Sequence, residues 1–259
     1  NLKFLKFQIE NELDYTSEIK KGSLNFIFNK NNSKATYKFN DNYFIFKIFD
    51  KLTNSHYIYD GNINFNPFYS SFKGQTDKID LFSLLNPNAL LTQILKTEIF
   101  NDKNLNFDIK IISKKITRYP NFVNVILNSK IHEGLIDIDY TKFNWKNYAN
   151  FEISDSLIYV SKNQLLLEGK LIINISDAQE IYKFLLTQKN LRNDIKKIEL
   201  NFKYNFDQKI MYLNDVKIDN LINQKVSNIL KKLTFKNDRL QNKIYFRNII
   251  NSAIKSYAG

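Results

Sequence analysis

Cysteine is absent from the 259-residue chain, which excludes a disulfide scaffold and any thiolate-held metal. Only 3 prolines and 6 glycines are present, and that excludes collagen-like repeats, proline-rich linkers and glycine-rich backbone cradles for phosphate. Neither a G-x-S-x-G elbow nor a P-loop nor a G-x-G-x-x-G turn occurs. No run approaches the roughly 18 consecutive apolar residues that a membrane-spanning helix needs. No basic segment leading into an apolar stretch and a small-residue cleavage site opens the chain. The 2 histidines, His56 and His132, each lie alone in a strand-like pattern, so a metal would need carboxylates gathered from afar. Hydrolase, kinase and dehydrogenase chemistries lose their usual residues; no catalytic residue, metal or cofactor is assigned.

What is present in quantity is apolar and aromatic: 43% hydrophobic and 15% aromatic residues, enough to build a core for one large or two small domains. The 38 basic against 26 acidic side chains give a net charge of +12, yet all the basic residues but Arg118, Arg192, Arg239 and Arg247 are lysine. Asparagine makes up about one residue in seven. Lys, Asn, Ile, Phe and Tyr rise together when a coding sequence is AT-rich, whereas nucleic-acid recognition favours arginine for bidentate contacts. Nucleic acid is therefore not expected as a partner.

Apolar residues follow period two from Leu2 to about Ile79, as in Leu24-Phe26-Phe28, Phe44-Phe46-Ile48 and Ile63-Phe65. Asn31-Asn32-Ser33, Asn40-Asp41-Asn42 and Asp60-Gly61-Asn62 read as the turns of an antiparallel meander. The period changes to helical steps over Leu81 to Glu98, interrupted at Pro87. Strands resume at Leu105 to Ile111, Val123 to Leu127, Ile136 to Tyr140, Phe151 to Ile153, Leu157 to Val160, Leu165 to Leu167 and Leu171 to Ile175. Ser176 reads as the N-cap of a helix ending near Asn190. Ile198 to Phe206 and Ile210 to Ile218 form a hairpin, and Leu221 to Leu233 and Leu240 to Tyr257 form amphipathic helices. The expectation is a mainly β chain: a long antiparallel curved sheet or partly open β-structure over 1–220, with short helices near 81–98 and 176–190, and a basic helical tail over 221–259.

Asp137 and Asp139, two apart on one strand, can present paired carboxylates or simply form a wet strand face, and the wet face is the expected role. Aromatic alternation in the strands is core or apolar groove. A sheet with one apolar face must be covered, either by closing into a sandwich or by leaving a curved groove for something equally apolar, and periodicity does not choose between them.

The stretch Tyr59-Asp60-Gly61-Asn62-Ile63-Asn64-Phe65-Asn66-Pro67-Phe68, the helix with Ile79-Asp80-Leu81-Phe82-Ser83-Leu84-Leu85, and the strand from Leu105 to Ile111 resemble the C-terminal part of AsmA-like proteins. So does the order of Gly134 to Asp139, Phe151 to Ser156, Leu167 to Leu171, Ser176-Asp177-Ala178 and Ile198 to Phe206. The resemblance spans roughly residues 55–220 and carries no catalytic fingerprint. It implies a bacterial envelope protein whose N-terminal anchor sits in the inner membrane and whose periplasmic β-structure moves phospholipid toward the outer membrane, with an envelope protein as a further partner. The closing Lys255-Ser256-Tyr257-Ala258-Gly259 is similar to the C-terminus of bacterial members. On this reading the groove is lined by Phe44, Phe46, Ile63, Phe65, Phe107, Ile109, Ile136, Ile138, Leu171, Ile173, Leu200, Phe202 and Tyr204.

The tail from Asn220 onward carries eight basic residues against the single acid Asp238. Lys225, Lys231, Lys232, Lys236, Arg239, Lys243 and Arg247 are the candidate surface for an anionic membrane or a partner in a rival, structural or assembly role. The blander reading is a solvated outer face on helices that pack on the sheet end. A polysaccharide-binding role is disfavoured by the single tryptophan, Trp145, and by the lack of an isolated acid pair.

Overall fold

The computed structural model describes residues 7–28, 31–52, 55–84, 86–232, 235–236 and 243–258, with side chains placed at 9–25, 33–49, 58–81, 83, 86–231, 244–245 and 247–258. The fold is mainly β, and its strands join into one large curved sheet of 16 strands. The first six form an antiparallel meander: β1 (Phe7–Asp14), β2 (Lys20–Phe28), β3 (Asn31–Phe39), β4 (Tyr43–Leu52), β5 (Ser55–Phe65) and β6 (Phe68–Ile79). Only one of the three expected turns stands at a strand change. Asn40 accepts hydrogen bonds from the backbone N–H groups of Asn42 (2.9 Å) and Tyr43 (3.0 Å), closing the β3–β4 turn. Asn31 to Ser33 instead begin β3, and Asp60-Gly61-Asn62 lie inside β5. The reason at Gly61 is packing: it faces an aromatic ring across the strands rather than bending the chain.

After β6 the chain crosses over and returns parallel, since β7 (Phe107–Ile116) pairs with β6 in parallel register. A parallel pair needs a crossover of a dozen or more residues. Residues 80–106 supply it as α1 (Leu81–Leu84), α2 (Leu90–Lys96) and a 3-10 turn at Ile99–Asn101. The expected single helix is thus two. Asp80 accepts from the Ser83 N–H (3.2 Å) and caps α1, and the chain turns at Asn86–Ala89 around Pro87, which cannot continue a helix.

β8 (Tyr119–His132), β9 (Leu135–Asp137), β10 (Lys142–Trp145), β11 (Ala149–Ser161) and β12 (Gln164–Ile175) continue the sheet. β11 merges two expected strands across a bulge, where Asp155 (φ 50°) is the extra residue and the register shifts between Ser154 and Leu157. Gly169 lies within β12 beneath that bulge, where a Cβ would stand 3.1 Å from Ser156. α3 (Ala178–Leu185) is capped by Asp177, which accepts from Glu180 N–H at 3.0 Å, and not by Ser176. It ends at Leu186, in the left-handed region, short of Asn190.

β13 (Lys197–Asn205) and β14 (Ile210–Ile218) form the expected hairpin. Leu221 and Ile222 are not helical: they form β15 (Leu221–Ile222) against β14, and Asn223 then caps α4 (Gln224–Lys232) by accepting from Val226 N–H at 2.9 Å. β16 (Phe235–Lys236) also pairs with β14, and α5 (Lys243–Ala258) closes the described chain. α4 is tied to the sheet by Ser227, whose Oγ accepts from the buried Val216 N–H at 2.9 Å. Among the described residues no helix is long and apolar enough to cross a membrane.

Candidate apolar groove

Residues directly opposite one another in neighbouring strands share a face. Gly22, Tyr37, Phe46, Gly61, Phe72 and Ile109 stand opposite one another in turn from β2 to β7. One step along, Ala35, Ile48, Tyr59, Gly74 and Ile111 form a second row on the same face. Ring centroids follow the rows: Tyr37 to Phe44 5.9 Å, Phe44 to Phe46 5.8 Å, Phe46 to Phe72 6.3 Å and Phe72 to Tyr59 5.4 Å.

Glycine makes this floor possible. A Cβ on Gly61 would stand 2.5 Å from Cζ of Phe46, and one on Gly74 2.5 Å from Cδ1 of Tyr59; Gly22 lies under Tyr37 in the same way. Each ring lies across a glycine instead of standing off the sheet, which recovers the packing that a strand glycine otherwise forfeits. Tyr37 reaches over Gly22 and its hydroxyl donates to Asn11 Oδ1 of β1 at 2.7 Å.

The same face is treated differently along the sheet. Over β12 to β14 it is roofed: Leu165, Leu200, Phe202, Tyr204 and Ile218 are buried in one cluster with Val226 and Leu230 of α4 and Ile249 of α5. Leu95 of α2 packs on that cluster, and Leu81 of α1 on a smaller one around Ile79, Ile116 and Val125. Among the described residues, none of the buried clusters includes a residue of β1 to β5. There the aromatic floor is only half-buried.

The thirteen residues expected to line a groove fall on this division. Phe44, Phe46, Ile63, Phe107 and Ile109 are half-buried, and Phe65 at the end of β5 is 47% exposed. Ile136 is buried, Ile138, Leu171 and Ile173 are half-buried, and Leu200, Phe202 and Tyr204 are buried. The last three are core beneath the helices rather than open surface. The signal that sequence reading missed is the spacing of Gly22, Gly61 and Gly74 inside strand patterns, each opposite an aromatic residue.

Over β11 to β13 the opposite face carries ion pairs, with Lys170–Asp155 at 2.6 Å, Lys197–Glu199 at 2.5 Å and Lys203–Glu168 at 3.4 Å, whereas over β4, β5 and β7 its polar residues are interspersed with exposed Ile45, Phe49, Ile58 and Ile112. The Lys197 ammonium, bonded to Glu199, holds that carboxyl below its ordinary range. Asp137 and Asp139 do not form a working pair. Asp139 is bound to the β11 bulge, accepting from the Ser156 N–H at 2.7 Å and from its hydroxyl, while burial pushes the Asp137 carboxyl up. His132 lies beside Asn106 at 2.6 Å, and His56 is outside the described side chains. Among the described residues no cluster of three His, Asp or Glu side chains is placed to hold a metal.

Of the seven basic residues expected to form a surface, Lys225 and Lys231 are exposed, the latter 3.9 Å from Asp215. Arg247 is not at that surface: its guanidinium lies 5.1 Å over the Phe184 ring, and Phe184 in turn packs on Trp145 at 4.7 Å. Arg239 and the side chains of Lys232, Lys236 and Lys243 lie outside the described residues. No protein-family model, curated protein or solved structure matches the chain.

Proposed function

We propose that this chain binds phospholipid acyl chains along the apolar face of its sheet, as the periplasmic part of an AsmA-like envelope protein anchored in the inner membrane and serving lipid transport to, or maintenance of, the outer membrane. The observation that carries the reading is the aromatic floor over β2 to β6, half-buried and outside every buried cluster, while the same face is roofed over β12 to β14. A half-covered apolar surface of this length is a feature of binding surfaces rather than of closed cores. Each methylene moved from water onto it contributes roughly 0.8 kcal/mol, similar at successive positions, so a chain can slide without a deep minimum at any one of them. Rings laid across glycines keep the floor low. The role needs binding without tight specificity and no bond-breaking chemistry.

The test is native mass spectrometry of protein purified without detergent, followed by organic extraction. Phe46→Asp places a charge in the floor, and Lys47→Asp places one on the opposite face. The reading predicts that phospholipid co-purifies with the parent protein and with Lys47→Asp but is lost from Phe46→Asp. Phe202 does not serve for this comparison, because at 7% exposure it reports on folding.

The rival role, an assembly module docking through its C-terminal basic helices, draws support from the exposed apolar Leu221, Ile222 and Ile244 and the exposed Lys225 and Lys231. It predicts vesicle sedimentation that is lost on Lys225→Glu with Lys231→Glu, with no lipid retained by the sheet.

A further inference from the structure

The face opposite the aromatic floor is not uniform along the sheet. Over β11 to β13 its lysines are paired with acids. Over β3 to β7 that balance is lost. Strand register places Lys34 and Lys38 of β3, Lys47 of β4, Lys73 of β6 and Lys110 and Lys114 of β7 on this face, all exposed, together with Asp60, Asp77 and Asp108. Lys114 is bonded to Asp77 at 2.7 Å, and the half-buried Asp108 accepts from the Tyr69 hydroxyl at 2.7 Å. Among the described residues of these strands, Lys34, Lys38, Lys47, Lys73 and Lys110 are left facing the single exposed acid Asp60. Glu10, Glu12 and Asp14 of the same face lie on β1, beyond β2, where Asp14 stands opposite Lys21.

Charged and apolar side chains are sorted into rows across these strands. Lys47, Asp60, Lys73 and Lys110 stand opposite one another in turn from β4 to β7. Two residues along, Phe49, Ile58, Gln75 and Ile112 form the next row, and Lys34 of β3 stands opposite Phe49 at its end. Two residues of strand span about 6.7 Å, which a lysine side chain can reach across. Lys47 does so, with its Nζ 5.2 Å from the centre of the Phe49 ring. Phe49, Ile58 and Ile112 are exposed, as is Ile45 on the other side of the lysine row.

We propose that this face of β3 to β7 lies on an anionic lipid bilayer, with Phe49, Ile58 and Ile112 at the boundary between headgroups and acyl chains and Lys34, Lys47, Lys73 and Lys110 at lipid phosphates. Apolar side chains that enter the interface, with lysines stretching from beside them to the phosphates, are how surface-bound elements hold anionic membranes. Charge complementarity and side-chain type select this occupant. Nucleic acid is gripped by arginine and by flat rings that stack on bases, whereas this patch offers lysine alone and aliphatic neighbours to its one exposed ring, Phe49. Lysine is depleted from the centre of protein interfaces, yet here a lysine row runs through the middle of the patch. The inference does not rest on the acyl-chain reading, which uses the other face of the sheet, and it concerns a surface separate from the basic residues of α4.

The test is sedimentation of the full chain with vesicles of phosphatidylcholine alone or mixed with phosphatidylglycerol. Binding is expected only to the mixed vesicles, and it should weaken as salt rises. Lys47→Gln with Lys73→Gln and Lys110→Gln should weaken it by about tenfold or more while leaving the urea midpoint in place. Phe46→Asp on the floor and Lys225→Glu with Lys231→Glu on α4 should leave it unchanged. Because the chain has no cysteine, a single Ile58→Cys carries an environment-sensitive dye at a defined place. Its emission should shift to the blue on the mixed vesicles, and that of a dye on Tyr212→Cys in β14 should not. Equal binding to both vesicles, binding undiminished by the three lysine changes, or an unshifted dye at position 58 would each overturn the proposal. Binding lost only from the Lys225 and Lys231 variant would overturn it by assigning the membrane to α4, and tighter binding of a single-stranded oligonucleotide than of vesicles would do so by assigning the lysines to nucleic acid.

Discussion

At the scale of single residues, two glycines beneath aromatic rings and two partly buried aspartates are set by what surrounds them. Gly61 and Gly74 stay glycine because an aromatic ring from the facing strand occupies the space of a Cβ. Gly61→Val should therefore destabilise the fold by about 1–3 kcal/mol, the usual cost of forcing atoms into a packed site. In urea denaturation, combining it with Phe46→Ala should recover part of that loss, and additive losses would show that the two do not share the space. Asp207 receives Lys96 Nζ at 2.6 Å and the Leu165 N–H at 2.9 Å, tying α2 to the β13–β14 turn. Burial raises its carboxyl, but the hydrogen bonds and the charge of Lys96 together outweigh burial and hold it below the ordinary value of 3.8. A carboxyl depressed in the folded state contributes stability that is present above its unfolded value and is lost as pH falls through the folded one. Urea denaturation at pH 7 should show Asp207→Asn less stable by about 1 kcal/mol, with the difference shrinking below pH 4. Asp137 has the opposite sign: burial raises it, so its ionisation at neutral pH costs stability, and Asp137→Asn should be neutral or stabilising at pH 7.

At the scale of elements, strands with strict alternation were legible in the sequence, and features set by partners far along the chain were not. Ile210 to Ile218 and Ile198 to Phe206 read as a hairpin because apolar and polar residues alternate without interruption. Phe151 to Ile153 and Leu157 to Val160 read as two strands because the Asp155 bulge shifts the phase by one residue, and a one-residue slip moves every later side chain to the other face. Leu221 and Ile222 read as helical because they fit the helical period, yet the backbone of β14 claims them first. Polar clusters mislead for the same reason: Asp60-Gly61-Asn62 has turn composition, and only the ring of Phe46 across the strand shows why the glycine is there. The aromatic floor was thus readable as alternating apolar residues, while its division into open and roofed parts depended on where α4 and α5 dock. That docking is itself testable. Leu230 is buried between α4 and the sheet, so Leu230→Ala should cost about 2–5 kcal/mol. Hydrogen exchange should accelerate in α4 and β14 and remain unchanged in β3 and β4.

At the scale of the whole molecule, one apolar face runs from the meander of β1 to β6, past a parallel crossover, to a helix-covered end. The roofed end supplies a conventional core, and the open end supplies a surface whose aromatic residues would be costly to leave facing water. The opposite face carries ion pairs over β11 to β13. Acyl chains on the open half would complete this arrangement, with the rest of the sheet acting as its scaffold. The most direct measurement is native mass spectrometry of the detergent-free protein with extraction of bound lipid, run on the parent chain, Phe46→Asp and Lys47→Asp. Phospholipid retained by the parent and by Lys47→Asp but lost from Phe46→Asp is the predicted result, and a stably folded parent protein that carries no lipid would contradict the account.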